Sequence, residues 1–523
     1  MRALLVCPEF PLSFWSFRKA SRLTGKKGVN PPLGLLTVAA LLPSEWELRL
    51  VDLNTSRLKE EDWHWADLIL ISAMYIQREG LLALAREAKQ RGKTVVAGGP
   101  YPSSLPEAAL EAGCNFVVRG EGENTIPLFL QALRVGRTGV IENHEKPDMT
   151  TSPIPRFDLL RLNDYNGLTI QTTRGCPFDC EFCDVVSLFG RKPRYKTSKQ
   201  VIAELDTLYR LGAEGTVFFC DDNFIGSKKH ARTLLQKITP WSKNRGEPFN
   251  FMTQASLNLG QDHEMIDLMT KANLREVFIG IESPDEKVLE NSRKYHNIKN
   301  PLIESLNNIK QKGIMVIGSF IIGFDGEPEG AGQRICSFIE QTAIPMAMLG
   351  VLQAPPHSSL WNRLEKEGRL RQDVGHDGGT FSTMNFLPDR PEAEIMQEYV
   401  EAWDYLYEPS RYLARAYRYY LAMRPMRRDK ALTPGRQTRP DNVSPRGMNW
   451  RRKLGELRAL FTILWRQGVC SSYRRQFWTQ LVGVLWRNPG RIEQYLSICA
   501  MGEDLSDIRQ VVKEKVAAII KKQ

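Results

Sequence analysis

Short apolar runs alternate with helical periodicity through the first third of the chain. The apolar runs predict strands at 3–7, 47–52, 68–72, 94–98 and 116–119, and helical patterns lie between them at 33–42, 80–91 and 106–112. Near-continuous apolar strands that alternate with helices are typical of a parallel sheet covered on both faces. The sequence therefore predicts an α/β fold that begins with a doubly wound, Rossmann-like domain over residues 1–140.

Glycine-rich turns follow the fourth and fifth of these predicted strands. The first is Gly98-Gly99-Pro100, and the second is Gly120-Glu121-Gly122. Ligands of open parallel sheets bind outside the carboxyl ends of the strands, where such loops lie. A Gly-Gly turn can also do no more than reverse the chain, so these turns alone do not identify a binding site.

A polar, proline-bearing linker at 141–163 separates this domain from a second run of strands and helices. The second run predicts strands at 168–172, 215–220, 249–255, 276–281, 313–322 and 346–351. Six consecutive strand–helix units fit a partial (β/α)6 barrel. We therefore expect a central barrel domain over residues 164–390.

Residues 391–523 predict a mostly helical and basic C-terminal domain. The segment 409–523 holds 24 Lys and Arg against 8 Asp and Glu, so it carries +16 of a chain whose total is +11, and the remainder is at −5. The three prolines within 431–448 predict a loop there. Any basic partner surface therefore belongs to the C-terminal region.

Cysteine usage and hydropathy indicate a cytoplasmic protein. The nine cysteines show no disulfide-like pattern, which favours a reducing compartment. The apolar run at the N-terminus is too short for a signal peptide and predicts a buried strand instead. No apolar stretch reaches the roughly 18 residues that a membrane span requires.

Cys176, Cys180 and Cys183 carry the chemistry that the sequence shows most directly. Three thiolates in a C-x3-C-x2-C loop can hold three corners of a [4Fe–4S] cluster and leave its fourth iron open. Zinc needs a fourth ligand and prefers paired C-x2-C knuckles, but the next cysteine is Cys220 and the next histidine is His230. The remaining alternative is a group of buried free thiols.

The cysteine loop, with Phe182 before its last cysteine, resembles that of the radical S-adenosylmethionine superfamily. Together with the N-terminal domain it resembles the cobalamin-dependent radical S-adenosylmethionine enzymes over about residues 1–390. Similar strings are Asn30-Pro31-Pro32-Leu33-Gly34-Leu35, Gly98-Gly99-Pro100, Val118-Arg119-Gly120-Glu121-Gly122-Glu123, Asp221-Asp222-Asn223-Phe224 and Gly280-Ile281-Glu282-Ser283. The basic tail is similar to that of a subgroup containing hopanoid methylases and bacteriochlorophyll side-chain methylases.

The resemblance implies cobalamin on the first domain, with its nucleotide tail along the carboxyl edge of the sheet. Small residues there would let the tail approach the backbone, and the candidates are Ser72, Gly98, Gly99 and Gly120. The loop after the first strand contains no histidine, so no protein histidine is expected on cobalt. His64 stands in a string that only mimics a cobalt-binding motif, and we expect it at the surface or an interface.

In the barrel, the resemblance implies that the cluster binds S-adenosylmethionine. Asp221 and Asp222 would hold its amino group, or else cap the following helix. Gln254, Ser256 and Glu282 would contact the ribose or methionyl portion, or else make hydrogen bonds of the barrel rim. Arg174 is either electrostatic support for the cluster or a surface charge. Two other thiols, those of Cys7 and Cys220, are predicted to lie in the core rather than to bind metal.

The implied reaction moves a methyl group from S-adenosylmethionine via methylcobalamin to an unactivated carbon. The cofactors carry this chemistry, so no protein acid, base or nucleophile is expected as a catalytic residue. An external electron donor such as flavodoxin or ferredoxin would reduce the cluster. Two alternatives remain, a cyclase or oxidoreductase of the tetrapyrrole type with the same cofactors and a non-catalytic cobalamin-binding regulator.

The basic tail suggests the substrate class. Leucine, phenylalanine and tryptophan recur at helical spacing over 457–486, with arginines between them. Such helices lie on anionic membranes or pack onto a neighbouring domain with a solvated basic face. The membrane alternative implies a hydrophobic small molecule, such as a terpenoid lipid or a tetrapyrrole with an apolar tail. No nucleic-acid-binding module is recognisable, so nucleic acid is not an expected partner.

Overall fold

Two parallel six-stranded sheets, followed by a helical region, make up the fold in this computed structural model. The residues that the structure describes are 1–371, 383–425 and 450–520. The loop predicted at 431–448 lies outside the described residues. The α/β class, the doubly wound first domain, the partial barrel and the helical C-terminal region are confirmed.

The first sheet forms the centre of the N-terminal domain. Its strands are β1 (Arg2–Cys7), β2 (Glu47–Asp52), β3 (Leu68–Ser72), β4 (Thr94–Gly98), β5 (Phe116–Arg119) and β6 (Gly139–Glu142). They pair in parallel in the order β2-β1-β3-β4-β5-β6. Five strands match the prediction within one residue. Strand β6 was not predicted, because its four residues form only a short apolar pair inside a polar stretch.

Helices cover both faces of this sheet. They are α2 (Leu33–Leu41), α3 (Glu60–Trp65), α4 (Arg78–Gln90), α5 (Pro100–Ser104), α6 (Pro106–Glu111) and α7 (Gly122–Arg134), whereas α1 (Arg18–Leu23) packs against the C-terminal helices. Leu5 and Leu70 enter a core shared with α2 and α7, whereas Val6 and Ile71 enter one shared with α4 and α6. Adjacent residues of one strand thus serve opposite faces, which is why the strands are apolar without alternation.

The second sheet is an open barrel. Its strands are β7 (Gly167–Ile170), β10 (Gly215–Phe219), β11 (Phe249–Ala255), β12 (Leu274–Glu282), β13 (Met315–Ile322) and β14 (Met346–Val351), and a separate two-stranded ladder is formed by β8 (Thr173–Arg174) and β9 (Arg194–Tyr195). The six strands pair in parallel in chain order, from β7 to β14. Strand β7 ends two residues before the predicted 172, because the Thr172 N–H leaves the ladder and donates to Asp221.

Nine helices follow the strands of the barrel within the described residues. They are α8 (Val185–Phe189), α9 (Ser198–Arg210), α10 (Lys228–Asn244), α11 (His263–Lys271), α12 (Glu286–Asn291), α13 (Tyr295–Ile298), α14 (Leu302–Gln311), α15 (Ala331–Thr342) and α16 (Ser359–Lys366). Short 3₁₀ turns occupy Met149–Thr151, Phe157–Leu159 and Leu162–Asp164, between the two domains. Apart from Asp164, they lie within the stretch predicted as a linker, whose first two residues belong to β6 instead.

Residues of the barrel strands alternate between the helical layer and the barrel interior. In β12, Val277, Ile279 and Ile281 are fully buried, whereas Phe278 and Gly280 are only partly buried. Gly280 pairs with Ser319 of β13. Directly paired residues of parallel strands point to the same face, so Gly280 and Ser319 share the interior face with Phe278. The side chains on this interior face are therefore the ones that a molecule bound inside the barrel would contact.

The N-terminal domain also closes one edge of the barrel. Residues 28–31 run beside β7, where Asn166 N donates to Gly28 O at 3.0 Å and Gly167 N donates to Val29 O at 2.9 Å. Thr169 Oγ1 donates to Pro31 O at 3.3 Å. The string Asn30-Pro31-Pro32 thus lies at the seam between the two domains.

The C-terminal helices pack on the opposite edge of the barrel. They are α17 (Glu392–Leu406), α18 (Pro409–Ala422), α19 (Trp450–Trp465), a π-helical turn (Arg466–Cys470), α20 (Arg474–Arg487) and α21 (Ile492–Ile520). Tyr407 Oη and Arg415 Nε donate to backbone oxygens at Ala347 and Ile344, at 2.5 and 2.9 Å. In the described ranges, no helix combines the length and apolar character that crossing a bilayer requires.

Candidate cofactor site

The three motif cysteines lie in one loop between β8 and β9. Cys176, Cys180 and Cys183 are partly buried free thiols. The loop is tight at Gly175, where φ is 90° and a Cβ would lie 2.8 Å from the Gly190 carbonyl oxygen. Burial raises the pKa of the Cys180 thiol to about 11, so the loop favours neutral thiols until a metal replaces their protons.

The donor set of this loop fits an iron–sulfur cluster better than a single ion. The described residues contain no group of three His, Cys, Asp or Glu side chains arranged to hold one metal ion. A [4Fe–4S] cluster makes a different demand, because each cysteine ligates a different iron. Cys220 donates to Ile170 O at 3.3 Å and Cys7 is buried, as expected for core thiols.

Asp221 and Asp222 both support the backbone around the cysteine loop. Asp221 is fully buried and accepts from Thr172 N, Thr173 N and Thr172 Oγ1, at 2.6, 2.9 and 2.5 Å. Asp222 accepts from Gly175 N at 2.7 Å, and burial raises its pKa to about 7. These contacts favour a role in shaping the loop, and contact with S-adenosylmethionine stays a prediction.

Asn223 links the cysteine loop to the next strand end. Its Nδ2 lies 3.9 Å from Cys176 Sγ and donates to Ser256 Oγ at 3.1 Å. Ser256 in turn donates to Asn258 Oδ1 at 2.6 Å. Gln254 stands two residues earlier on the interior face of β11. The sequence analysis did not select Asn223 itself, although it lies in the string that drew attention to Asp221 and Asp222.

A buried ion pair lies beside Cys180 and Cys183 of the cysteine loop. Glu282 accepts from Lys294 Nζ at 2.5 Å and from Ser319 Oγ at 3.1 Å. Burial disfavours the charged ammonium of Lys294, but Glu282 and the thiols of Cys180 and Cys183 hold its pKa above the ordinary value. Lys294 was missed, because it lies twelve residues from Glu282 and no local pattern joins the two.

The candidate cobalamin residues share one edge of the first sheet. Ser72, Gly98 and Gly120 end or follow the adjacent strands β3, β4 and β5. At Gly99 φ is 95°, and a Cβ would lie 2.6 Å from Ser72 Oγ. Gly99 thus packs closely against Ser72, and the strand ends here carry small residues, as a close approach of a large group requires. His64 is exposed and contacts Glu60 O within its own helix, as predicted.

This edge faces the cysteine loop across the domain boundary. His357, which follows β14, lies with Nε2 3.1 Å from Ser104 O of α5. Lys146 Nζ donates to Leu188 O at 2.6 Å, in α8 within the cysteine loop. Arg174 binds Glu121 and Glu123 of the first domain, and its surface-charge alternative is wrong because the residue is 9% exposed. The two candidate cofactor sites therefore share one interface.

Three family models match the chain. The B12 binding domain matches residues 25–130, the Radical SAM superfamily matches residues 170–339, and a domain of unknown function, DUF4070, matches residues 358–518. The first model falls on the first sheet and the second on the barrel. The order of the models is the order of the domains.

Two relatives cover almost the whole chain. An uncharacterized methyltransferase of Synechocystis sp. is 44% identical over 518 residues, which are 99% of this chain and 93% of that protein. A hopanoid C-2 methylase of Rhodopseudomonas palustris is 34% identical over 510 residues, which are 96% of this chain and 93% of that protein. The chain belongs to the cobalamin-dependent radical S-adenosylmethionine methyltransferases.

A solved structure of the same cofactor class shares the fold of this methyltransferase. The cobalamin-dependent S-adenosylmethionine radical enzyme OxsB, with aqua-cobalamin and S-adenosylmethionine bound, matches with a TM-score of 0.58. The match covers 100% of this chain and 81% of that chain at 16% identity. At this identity the likeness shows the fold alone.

Membership in this methyltransferase family confirms the predicted cofactors. The enzyme uses a [4Fe–4S] cluster, S-adenosylmethionine and cobalamin. The predicted reaction type, methyl transfer by a radical enzyme, is confirmed with them. Which side chains hold each cofactor stays a prediction, and the geometry above is its support.

Proposed function

We propose that this methyltransferase acts on a carbon of a hydrophobic polycyclic molecule, with a terpenoid lipid of the hopanoid kind as the first candidate. The observation that carries the proposal is the apolar barrel interior. The half-buried interior positions of four strands include the apolar Met252, Phe278, Ile321 and Met348, with the polar Gln254 beside them. Such a wall suits a ligand with few polar groups, and the relative named as a hopanoid C-2 methylase is similar over nearly the whole chain.

A residue from the N-terminal domain adds to this wall. Trp15 follows β1 and contacts Phe278 edge-to-face, with ring centroids 5.4 Å apart. Its neighbour Phe14 is fully buried, whereas Trp15 itself is 36% exposed. A large aromatic ring left open beside the barrel interior is available to a flat apolar substrate.

The chain's own groups have positioning roles in this proposal. Cys176, Cys180 and Cys183 would hold the cluster, and S-adenosylmethionine would bind beside it near Ser256 and Glu282. The carboxyl edge of β3, β4 and β5 would hold the cobalamin tail. When bound, these cofactors supply the methyl group and the radical chemistry, so the protein has to orient the reactants and exclude water. An external flavodoxin or ferredoxin remains the proposed electron donor.

Product analysis under anaerobic conditions tests this function. The protein is reconstituted with iron, sulfide and cobalamin, then given a reductant, S-adenosylmethionine and a pentacyclic hopanoid. We expect a product heavier by one CH2 unit, together with 5′-deoxyadenosine and S-adenosylhomocysteine. Cys180→Ala should lose 5′-deoxyadenosine, whereas Cys470→Ala, at an exposed cysteine of the C-terminal region, should not. Deoxyadenosine alone, without a heavier product, would contradict methylation of this substrate class and favour a cyclase.

We also propose that α19 and α20 rest on an anionic membrane surface, from which such a lipid could be drawn. Each of the two alternatives, packing onto a neighbouring domain and contact with a membrane, applies to part of these helices. Phe477 and Val484 are buried against the protein, but Phe461, Trp465 and Trp486 are 68%, 54% and 83% exposed. Residues 457–487 contain five arginines and no acidic residue, which suits an anionic bilayer.

Vesicle sedimentation separates the membrane proposal from simple packing. The protein should bind phosphatidylglycerol vesicles and bind phosphatidylcholine vesicles far less. The double variant Trp465→Ser/Trp486→Ser should lower binding at least about tenfold, since each large apolar side chain contributes about 1.5–3 kcal/mol when buried. The control is Leu128→Ser/Val135→Ser, which alters two exposed apolar residues, one within α7 and one directly after it. Equal loss in both variants, or binding that ignores lipid charge, would refute the proposal.

A further inference from the structure

A buried ionic cluster joins the cobalamin-binding domain to the base of the cysteine loop. It consists of Glu121, Glu123, Arg174 and Arg194, whose side chains are 4%, 3%, 11% and 14% exposed. Arg174 contacts both carboxylates, at 2.7 Å to Glu121 and 2.8 and 2.9 Å to Glu123. Arg194 contacts Glu121 with both of its terminal nitrogens, at 2.7 and 3.0 Å.

The two arginines stand opposite each other at the two ends of the cysteine loop. Arg174 of β8 pairs with Arg194 of β9, so this short antiparallel ladder closes the loop that holds the three cysteines. Arg174 lies two residues before Cys176. Arg194 also donates to Phe189 O at 3.0 Å and so ties the far side of the loop to the same point.

The two carboxylates stand at the edge that would hold cobalamin. Glu121 directly follows Gly120, at the carboxyl end of β5, and Glu123 lies in the first turn of α7. At Gly120 φ is 109° and a Cβ would lie 2.9 Å from Asn143 O, so the backbone beside Glu121 has little room to move. One contact set thus connects both candidate cofactor sites.

The composition of this ionic cluster favours a geometric role over a stabilising one. Two carboxylates and two guanidinium groups balance in charge, and buried ion pairs often add little net stability because desolvation offsets the attraction. Bidentate contacts between planar guanidinium and carboxylate groups do fix relative orientation. A geometric role predicts sensitivity to the shape of the contact even where charge is kept.

We propose that Glu121, Glu123, Arg174 and Arg194 are positioning residues that set the cobalamin edge against the cysteine loop for methyl transfer. The inference rests on the family assignment and concerns the first half of the reaction, in which S-adenosylmethionine gives its methyl group to cobalamin. It does not depend on which lipid is methylated. Failure of the substrate proposal therefore leaves it intact, and the reverse also holds.

The test compares two products in single-turnover reactions without lipid substrate. Glu123→Gln keeps the size of the side chain but replaces one carboxylate oxygen with an amide group that cannot accept, so the bidentate contact with Arg174 is lost. We expect the rate of S-adenosylhomocysteine formation to fall about ten- to a hundredfold, because small misplacements of reacting groups carry costs of that order. Formation of 5′-deoxyadenosine should stay within about twofold of the parent. Asp158→Asn, which breaks an exposed bidentate pair with Arg156, is the matched control and should change neither rate.

Two readouts independent of turnover complete the test. Hydrogen–deuterium exchange of the iron-free protein should speed up in both 99–104 and 175–183 in Glu123→Gln, and in neither segment in Asp158→Asn. Iron and cobalamin content should remain at parent levels. If Glu123→Gln does not fold, Arg174→Lys keeps the charge, loses the planar contact and should uncouple the two rates in the same way. Parallel loss of both rates with loss of iron, or no change in their ratio, would overturn the proposal.

Discussion

Removal of the Asp221 carboxylate should weaken the base of the cysteine loop. This side chain is fully buried and accepts the Thr172 and Thr173 N–H groups and the Thr172 hydroxyl. In Asp221→Ala the two N–H groups lose their acceptor, and each unsatisfied buried group costs about 1–3 kcal/mol. We therefore expect a loss of about 2–6 kcal/mol in unfolding free energy and lower iron content after reconstitution.

Asp221→Asn should behave differently, because of how the three hydrogen bonds are divided between the two carboxylate oxygens. Both N–H groups bind one oxygen, which asparagine retains, and the Thr172 hydroxyl can turn to accept from the new amide. Burial raises the pKa of Asp221 to about 6 from 3.8, so ionisation opposes folding above pH 6 and this penalty fades as pH falls toward 4. At pH 7 the free energy of unfolding of the asparagine variant should equal or exceed that of the parent. The margin on this expectation is about 1 kcal/mol, which is what one altered hydrogen bond contributes.

Urea unfolding of the iron-free protein at pH 5 and pH 7, with iron analysis after reconstitution, measures these effects. The relative advantage of Asp221→Asn should shrink at pH 5 without vanishing, because the unfolded carboxyl stays ionised down to its ordinary pKa of 3.8. Asp148→Ala is the surface control, since it removes an exposed carboxylate that accepts from the backbone and the side chain of Thr150. The reasoning is refuted if Asp221→Ala keeps its iron and its urea midpoint, or if asparagine costs as much as alanine.

Two further substitutions test other parts of the molecule. Gly99→Ala places a Cβ 2.6 Å from Ser72 Oγ at a φ of 95°. It should lower the free energy of unfolding by about 1–3 kcal/mol and weaken cobalamin binding in equilibrium dialysis. Gly34→Ala is the control, because a Cβ there meets nothing within 4 Å, and it should bind cobalamin normally. Arg415→Ala removes a fully buried guanidinium group, leaves the Ile344 and Leu406 carbonyl oxygens without their donor, and should cost about 2–6 kcal/mol in urea unfolding. Arg418→Ala, which removes a half-exposed partner of Glu340, should cost under about 1 kcal/mol, and equal losses would contradict the burial argument.

The elements that the sequence predicted correctly are those that a short run of neighbouring residues determines. The strand at 68–72 was found at its correct bounds, because a run of four apolar residues between helical segments leaves few alternatives. The cysteine loop was found because its three thiols lie within eight residues of each other. Strand β6 was missed, since pairing with β5 rather than its own composition makes it a strand.

Contacts between distant residues explain the rest of what the sequence did not show. Lys294 becomes a neighbour of the cysteine loop only because the chain after β12 folds back through α12, and Arg194 meets Glu121 only when the two domains are in contact. Both are charged residues in polar stretches, where surface exposure is the ordinary expectation. The role of Arg174 stayed open for the same reason, because its burial depends on carboxylates more than fifty residues away.

The passage of residues 28–31 along β7 bears on how this enzyme can be divided. Strand β7 ends the barrel sheet, and its outer backbone groups are satisfied by the N-terminal domain through Gly28 and Val29. A barrel expressed without that domain would present a bare strand edge, which invites edge-to-edge aggregation. Attempts to study the radical chemistry in isolation, or to graft a foreign cobalamin domain onto this barrel, should therefore carry residues 28–31 along with it.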